Sequence, residues 1–313
     1  MKILLPDSVP LDPALPEGVE AVRYAVAAPP PDEHLDSEAL VVWGNSLQGL
    51  RAVADRMPRL RWVQTLAAGP DVVLAAGFPD GVLVTSGVGL HDRPVTEHAL
   101  ALVLALLRRL PDALAAQAEH RWADELGGLQ PLHPAGAVTT LLDAQVLVWG
   151  FGNIGQNLAP LLQALGAQVR GVGRSAGERA GFPVVAEDRL EEELRRTDVL
   201  VMILPSTPAT TRALDAGRLA ALPRHALVVN VGRGSTVDEP ALVAALTEGR
   251  IAGAALDVTE VEPLPADSPL WEAPGLLLTP HAAGGRPVGA DDLVAANLQA
   301  LVAGRELRNV VAR

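Results

Sequence analysis

The sequence predicts an α/β fold of two domains, each built on a doubly wound parallel sheet. Two observations lead there. Short apolar runs alternate with helical stretches along nearly the whole chain, and the run Val146–Trp149 enters a helix through a glycine-rich turn. At 313 residues the chain has length for two domains of ordinary size.

In the first ninety or so residues, Lys2–Leu5, Val19–Arg23, Leu40–Trp43, Trp62–Gln64 and Val82–Thr85 read as strands. Leu47–Arg56 reads as a helix and Pro29–Pro31 as a loop, giving a small domain with a flavodoxin-like sheet. From Pro94 to about Trp122 the spacing of Val95, Ala99, Leu102, Val103, Leu106 and Leu110 predicts one long helix. Pro94 suits its first turn, where a missing N–H costs nothing. Leu100 and Leu104 make the opposite face apolar too, so the helix is expected to be buried on two sides and the chain to be a homodimer. Ala123–Ala137, rich in Gly, Pro and Leu, is expected as a connecting loop.

A second strand series follows at Val146–Trp149, Val169–Val172, Val199–Leu204, Leu227–Asn230, Ala254–Val258 and Leu276–Leu278. Helices are expected between them at Gln156–Leu165, Leu190–Arg196, Ala216–Ala221 and Glu239–Glu248, with Pro160 removing a hydrogen bond and bending the first. Six strands so connected form a Rossmann-like sheet. Gly289–Ala303 is one more amphipathic helix, expected to return to the N-terminal domain.

Composition narrows the function. Hydrophobic residues make up 49% and charged residues 20%, which is globular rather than disordered. A net charge of −12 disfavours binding to nucleic acid or to anionic membrane surfaces. With no Cys there is no disulfide, thiolate metal site or Cys nucleophile, and Lys2 is the only lysine for Schiff-base chemistry. Met1–Asp7 lacks the features of a signal peptide, and the longest apolar run, Ala99–Leu107, is short of the ~20 residues a spanning helix needs. The expected location is the cytoplasm.

Gly150-Phe151-Gly152-Asn153-Ile154-Gly155 is a G-x-G-x-x-G fingerprint with a strand before it and a helix after it. Gly150 allows the tight turn, Gly152 lets a pyrophosphate approach the backbone, and Gly155 lets helix and strand pack closely. The alternative is a ligand-free glycine-rich turn. Three later segments place polar residues just past strand ends, where open α/β sheets bind ligands. Arg233 in Asn230-Val231-Gly232-Arg233-Gly234 offers a planar fork to a carboxylate, or is a surface arginine in a turn. Asp257-Val258-Thr259-Glu260-Val261-Glu262 holds three carboxylates, of which Glu260 reads best as solvated. His281 in Thr279-Pro280-His281-Ala282-Ala283-Gly284 either approaches a substrate carbonyl or caps the strand end. His34, His91, His98, His120, His133 and His225 lack comparable settings, and no cluster has metal-ligand spacing, so no metal is expected.

The order of these motifs resembles the D-isomer-specific 2-hydroxyacid dehydrogenases over essentially the whole chain, the Gly87–Arg109 segment resembling that family's interdomain helix. The resemblance implies a hydride transfer between a nicotinamide cofactor and a small 2-keto acid, glyoxylate or hydroxypyruvate by preference. It implies that His281 exchanges the proton, that Glu262 holds the imidazole, and that Arg233 clamps the substrate carboxylate. Ala67, Ala68 and Gly69 look like a second hold on that carboxylate. At the cofactor it places Gly150, Gly152, Asn153, Ile154, Gly155, Pro205, Thr211, Val231, Asp257, His281 and Gly284. It further implies a substrate domain of residues 1–88 and 284–313, a dinucleotide-binding domain of residues 89–283, and an active site in the cleft. Phosphoglycerate oxidation is less expected, since the chain ends at Arg313 without an added domain. The rival from another class is a nucleotide-sensing, corepressor-like protein on the same fold.

Where NAD-preferring folds of this type end their second strand in an acid, this chain has Gly173, followed by Arg174 and Ser175. Arg174 and Ser175, with Arg179 as a second charge, suit the 2′-phosphate of NADP(H), which is therefore the expected cofactor, with NAD(H) still open. The alternative is a solvated loop whose arginine points to water.

Overall fold

The computed structural model describes residues 1–128 and 131–311. The chain divides into two compact units, Met1–His91 with Arg286–Arg313, and Asp92–Gly285.

The first unit starts with β1 (Lys2–Pro6), β2 (Glu20–Tyr24), β3 (Ala39–Val42), α1 (Leu47–Arg56), β4 (Trp62–Thr65), α2 (Asp71–Ala75) and β5 (Leu83–Thr85). Its five strands run parallel in the order β2-β1-β3-β4-β5, the flavodoxin-like winding the apolar runs predict. Successive strand residues point to opposite faces. Ile3, Leu5, Val41 and Trp62 therefore fill one core, while Leu4, Leu40, Val42 and Val63 fill the other with Leu50 and Val53 of α1. Ser46 starts α1 by accepting a hydrogen bond from the Gly49 amide.

The second unit contains α3 (Asp92–Leu107), α4 (Leu110–Ala118), β6 (Gln145–Trp149), α5 (Asn153–Ala164), β7 (Gln168–Gly173), β8 (Gly177–Arg179) and β9 (Phe182–Ala186). It continues with α6 (Leu190–Leu194), β10 (Val199–Met202), α7 (Ala216–Ala221), β11 (Leu227–Asn230), α8 (Glu239–Thr247), β12 (Gly253–Leu256) and β13 (Leu276–Leu278). Among the described residues its sheet has eight strands in the order β13-β12-β11-β10-β6-β7-β9-β8, parallel except for the β8–β9 hairpin. The winding reverses beside β6, which leads into the glycine loop.

Three expectations need correction. The single helix from Pro94 to Trp122 is two, broken where Arg109 takes a left-handed conformation (φ 52°, ψ 39°). The cause is Pro111, which lacks an N–H and whose ring clashes with the carbonyl four residues back, at Leu107, where α3 stops. The six-strand sheet gains β8 and β9, whose short polar first strand and internal Pro183 resemble a loop in sequence. Helix α5 starts three residues earlier than expected, at Asn153, and contains Pro160 as expected. The expected loop Ala123–Ala137 contains two 3-10 turns, Asp124–Leu126 and Pro134–Gly136, and its Leu129 and Gln130 lie outside the described residues. Helix α3 buries Val95, Ala99, Leu102, Val103 and Leu107 in a core shared with β6 and α5, while Leu100 and Leu104 are half-buried against it.

The last helix, α9 (Ala290–Val302), belongs to the first unit, as its amphipathic pattern predicts. It packs Leu293, Val294 and Leu298 onto Ile3, Leu5 and Trp62. Buried Asn297 donates to Gln64 Oε1 at 2.9 Å and accepts from the Arg308 amide at 2.7 Å, tying helix, sheet and tail together. Replacing Asn297 by Ala would strand those buried partners, so stability should fall by about 1–3 kcal/mol. A denaturant midpoint unchanged from wild type would show that the partners find substitutes.

Candidate functional site

The C-terminal ends of the parallel strands in the second unit carry the chemistry. After β6, Gly150 takes φ 99°, and a Cβ there would lie 2.5 Å from the Ile203 carbonyl oxygen, so this turn admits only glycine. Gly152 caps α5 without a side-chain bond, and a Cβ on it would meet nothing within 4 Å. Open space in front of helix-terminal amides, of which Asn153 and Ile154 supply the next two, fits a pyrophosphate. Gly155 packs against Gly150 and Val148.

Strand β7 ends at Gly173, and Arg174 and Ser175, both exposed, follow it. After β10, the Pro205 carbonyl accepts from the Thr210 hydroxyl, and the Thr211 hydroxyl donates to the Thr207 carbonyl. Beyond β11 the side chain of Asn230 locks the turn, accepting from the Gly232 amide at 3.0 Å and donating to the Arg233 carbonyl at 3.1 Å, with buried Val231 between. Arg233 is half-buried, and its Nη1 donates to the Gly232 carbonyl at 2.7 Å. Among the described residues no carboxylate lies within ion-pair distance of it, so its charge stays available.

Asp257, 1% exposed, follows β12. Its Oδ1 accepts from the Thr279 hydroxyl at 2.5 Å and the Ala282 amide at 2.8 Å, and its Oδ2 from the Ala283 amide at 3.1 Å. Its carbonyl accepts from the His281 amide at 2.8 Å. His281 thereby sits in the left-handed region at φ 50°, an uncommon place for a non-glycine residue. Its Nδ1 lies 2.7 Å from Glu262 Oε2, while Glu262 Oε1 accepts from the Thr259 amide at 3.1 Å. A carboxylate only accepts, so Nδ1 carries the proton and Nε2 is the ring nitrogen left for other chemistry. Glu260 lies elsewhere, exposed and 3.9 Å from Arg212. Its amide donates to Glu239 at 2.6 Å, and burial, helped by the Glu260 charge, holds the Glu239 carboxyl above the usual range despite that bond.

The structure thus brings Asp257, Glu262 and His281 into one hydrogen-bonded cluster, with half-buried Gly284 closing the same loop. It adds a residue that sequence reasoning missed. His98 of α3 places Nε2 3.1 Å from Asp257 Oδ1 and 3.0 Å from the Thr279 hydroxyl. Its partners lie far along the chain, and nothing local in the sequence marks it.

In the first unit, the Leu66-Ala67-Ala68-Gly69 loop follows β4. The Ala67 amide is spent on the Thr65 hydroxyl at 3.1 Å and its carbonyl on the Gly87 amide at 2.7 Å. Among the described residues the Ala68 and Gly69 amides have no such partner. His91 Nε2 lies 2.7 Å from the Leu66 carbonyl, and its ring stacks on Trp43 at 5.3 Å. Among the described residues no group of three or more His, Cys, Asp or Glu could hold a metal ion.

Comparison with known proteins bears out the resemblance drawn from the motifs. Residues 100–283 match the family described as D-isomer specific 2-hydroxyacid dehydrogenase, NAD binding domain. Glyoxylate/hydroxypyruvate reductase A of Salmonella paratyphi B is 34% identical over 267 residues, 82% of this chain and 81% of that protein. A solved D-isomer specific 2-hydroxyacid dehydrogenase from Xanthobacter autotrophicus, in complex with NADPH and MES, superposes with a TM-score of 0.77 at 33% identity, covering 95% of this chain and 90% of that one. An NADPH-dependent glyoxylate/hydroxypyruvate reductase from Sinorhizobium meliloti, in complex with NADP and sulfate, gives 0.80 at 28% identity, covering 99% and 97%. No support emerges for the corepressor-like alternative. The chain belongs to the D-isomer specific 2-hydroxyacid dehydrogenase family and is an NAD(P)-dependent oxidoreductase.

Proposed function

We propose that this chain reduces a small 2-keto acid, glyoxylate or hydroxypyruvate, with NADPH as the preferred reductant. The observation that carries this reading is the His281–Glu262 pair at 2.7 Å on the same sheet edge as Arg233, a cation with no acid partner among the described residues. The relative in complex with NADPH and the NADPH-dependent one support the choice of cofactor, and the glyoxylate/hydroxypyruvate reductases support the substrate class. The second unit is the dinucleotide-binding domain in this reading and the first is the substrate domain.

Gly150, Gly152, Asn153, Ile154 and Gly155 would hold the pyrophosphate, because the open front of Gly152 and the helix-starting amides of α5 fit it. Arg174, Ser175, Pro205, Thr211, Val231 and Gly284 line the rest of the cofactor path. When bound, the reduced nicotinamide supplies the hydride that the carbonyl carbon receives. Asp257 Oδ2 has one protein donor, so it retains acceptor capacity for the carboxamide. His281 Nε2 gives a proton to the substrate oxygen as it gains negative charge, and Glu262 stabilises the imidazolium and fixes the ring. Arg233 binds the carboxylate with its planar fork and polarises the neighbouring carbonyl. In the first unit the Ala68 and Gly69 amides, more than the spent Ala67, offer further donors for a carboxylate.

His281→Ala should lower kcat for both keto acids by about 10²–10⁴-fold and leave the dissociation constant for NADPH nearly unchanged. Normal turnover in that variant would remove His281 from the proton step. For the wild-type enzyme, kcat/KM should be higher with NADPH than with NADH in a panel of short 2-keto acids. Higher efficiency with NADH would end the cofactor reading, and no turnover with any acid would end the substrate reading.

The second unit also leaves Leu110 and Leu114 of α4, and Leu142, Leu161 and Leu165 around α5, exposed. An apolar surface of this kind suits a second copy of the chain, so the enzyme is read as a homodimer. Among the described residues no helix is long and apolar enough to cross a membrane. Light scattering should give twice the chain mass, and Leu114→Glu should shift it toward the monomer. A monomer mass for wild type would exclude the dimer.

A further inference from the structure

Strand β7 ends at Gly173, where dinucleotide folds that prefer NAD place the acid that binds the adenosine ribose hydroxyls. A Cβ on Gly173 would stand 2.6 Å from Nη1 of Arg179. The space a side chain would take is therefore held by a guanidinium. Arg179 reaches it from β8, the outer strand of the edge hairpin, where it pairs in register with Phe182. Phe182 is buried and packs against Phe151 of the glycine loop, with ring centroids 6.2 Å apart. The hairpin that sequence reading missed is thus anchored to the cofactor loop at its turn end.

Nη2 of Arg179 donates to the carbonyl and to the hydroxyl of Ser175, each at 3.1 Å. These bonds hold the guanidinium across the Gly173–Ser175 turn. Among the described residues Nη1 and Nε have no acceptor and the group has no acid partner. Arg174 is exposed, and among the described residues it makes no hydrogen bond. The two arginines therefore differ in preparation. An anion at the ribose meets one fork already ordered during folding, and another that must first be ordered out of water.

We propose that Arg179, rather than Arg174, is the main residue by which this enzyme recognises a 2′-phosphorylated adenosine ribose. This rests on the NADP(H) reading above and deepens it. The ligand class is a phosphomonoester on an adenosine ribose, bound by the free edge of a guanidinium whose other edge is tied to Ser175. A consequence concerns redesign. A carboxylate introduced at Gly173 would lie against Arg179 and pair with it, so it would not be free for the ribose of NAD.

The test is calorimetric titration of the full-length protein with adenosine 2′,5′-bisphosphate and with adenosine 5′-monophosphate. Wild type should bind the bisphosphate at least about tenfold tighter, the scale of a charge-assisted phosphate contact. Arg179→Ala should abolish most of that ratio while the monophosphate affinity holds. Arg179→Gln should behave alike, because it can still bond Ser175 but has lost the charge, which separates recognition from support of the turn. Arg174→Ala should keep most of the ratio. The inference is overturned if Arg179→Gln retains the ratio, or if Arg174→Ala loses it while the Arg179 variants do not. A wild type without preference for the bisphosphate would fell the NADP(H) reading and this inference together, whereas a preference that survives in the Arg179 variants fells the inference alone.

Discussion

The carboxylate of Asp257 is out of contact with solvent, and a buried charge is tolerable only when donors surround it. Here the donors are the hydroxyl of Thr279 and the amides of Ala282 and Ala283, and the ring of His98, hydrogen-bonded to that hydroxyl, lies 3.1 Å from the same carboxylate. They come from the segment after β13 and from α3, so satisfying one charge fastens three parts of the second unit together. The His281 amide bonds to the carbonyl of the same aspartate, which holds that residue in a left-handed conformation costing on the order of 1 kcal/mol or more. The proton step proposed for His281 thus rests on an orientation that its own neighbours in sequence would not choose. Asp257 positions the loop first, and the acceptor proposed for a cofactor is Oδ2, which among the described residues takes one donor.

A parallel sheet makes such an arrangement compact. Each strand delivers its following loop to the same edge, and the loops then pack backbone against backbone. Gly234 shows how tightly, since a Cβ on it would overlap the carbonyl carbon of Thr259, in the loop after the neighbouring strand. Arg233 and the loop bearing Glu262 are set side by side by that contact rather than by any bond between their side chains. Groups held in this way need little reorganisation when charge develops on a substrate, which is where an enzyme gains most from a rigid scaffold.

Much of this was legible because strands buried on both faces read as continuous apolar runs, and because turns with strict backbone demands advertise themselves as glycine. Val146–Trp149 with Gly150, Gly152 and Gly155 is the clearest case. What the sequence concealed has other causes. Pro111 breaks a helix whose apolar periodicity continues across it, so the periodic signal outran the steric one. The strand β8 has three residues, none of them apolar, and is a strand only because β9 pairs with it. His98 meets Thr279 across 181 positions, and no local pattern encodes a contact of that span. The occupied amide of Ala67 depends on where the Thr65 hydroxyl turns, which is a rotamer choice invisible in composition.

The charge balance of the protein raises a question that these geometries answer. A chain with net charge −12 repels an anionic cofactor and an anionic acid at long range, although screening confines that repulsion to about 8 Å at physiological ionic strength. Many of its arginines are also neutralised, as Arg109 is by Asp112, Arg121 by Glu125 and Arg189 by Glu192. Arg233 and Arg179 are held differently. The first is oriented by the Gly232 carbonyl and the second by the Ser175 carbonyl and hydroxyl. A carbonyl fixes a guanidinium through its partial charge without cancelling the whole one, so the side chain is both directed and still cationic. An acidic protein can then bind anions by keeping some arginines away from its carboxylates, and of those so kept Arg233 follows β11 and Arg179 reaches from β8 to the end of β7, where the proposed function has a carboxylate and a ribose phosphate received.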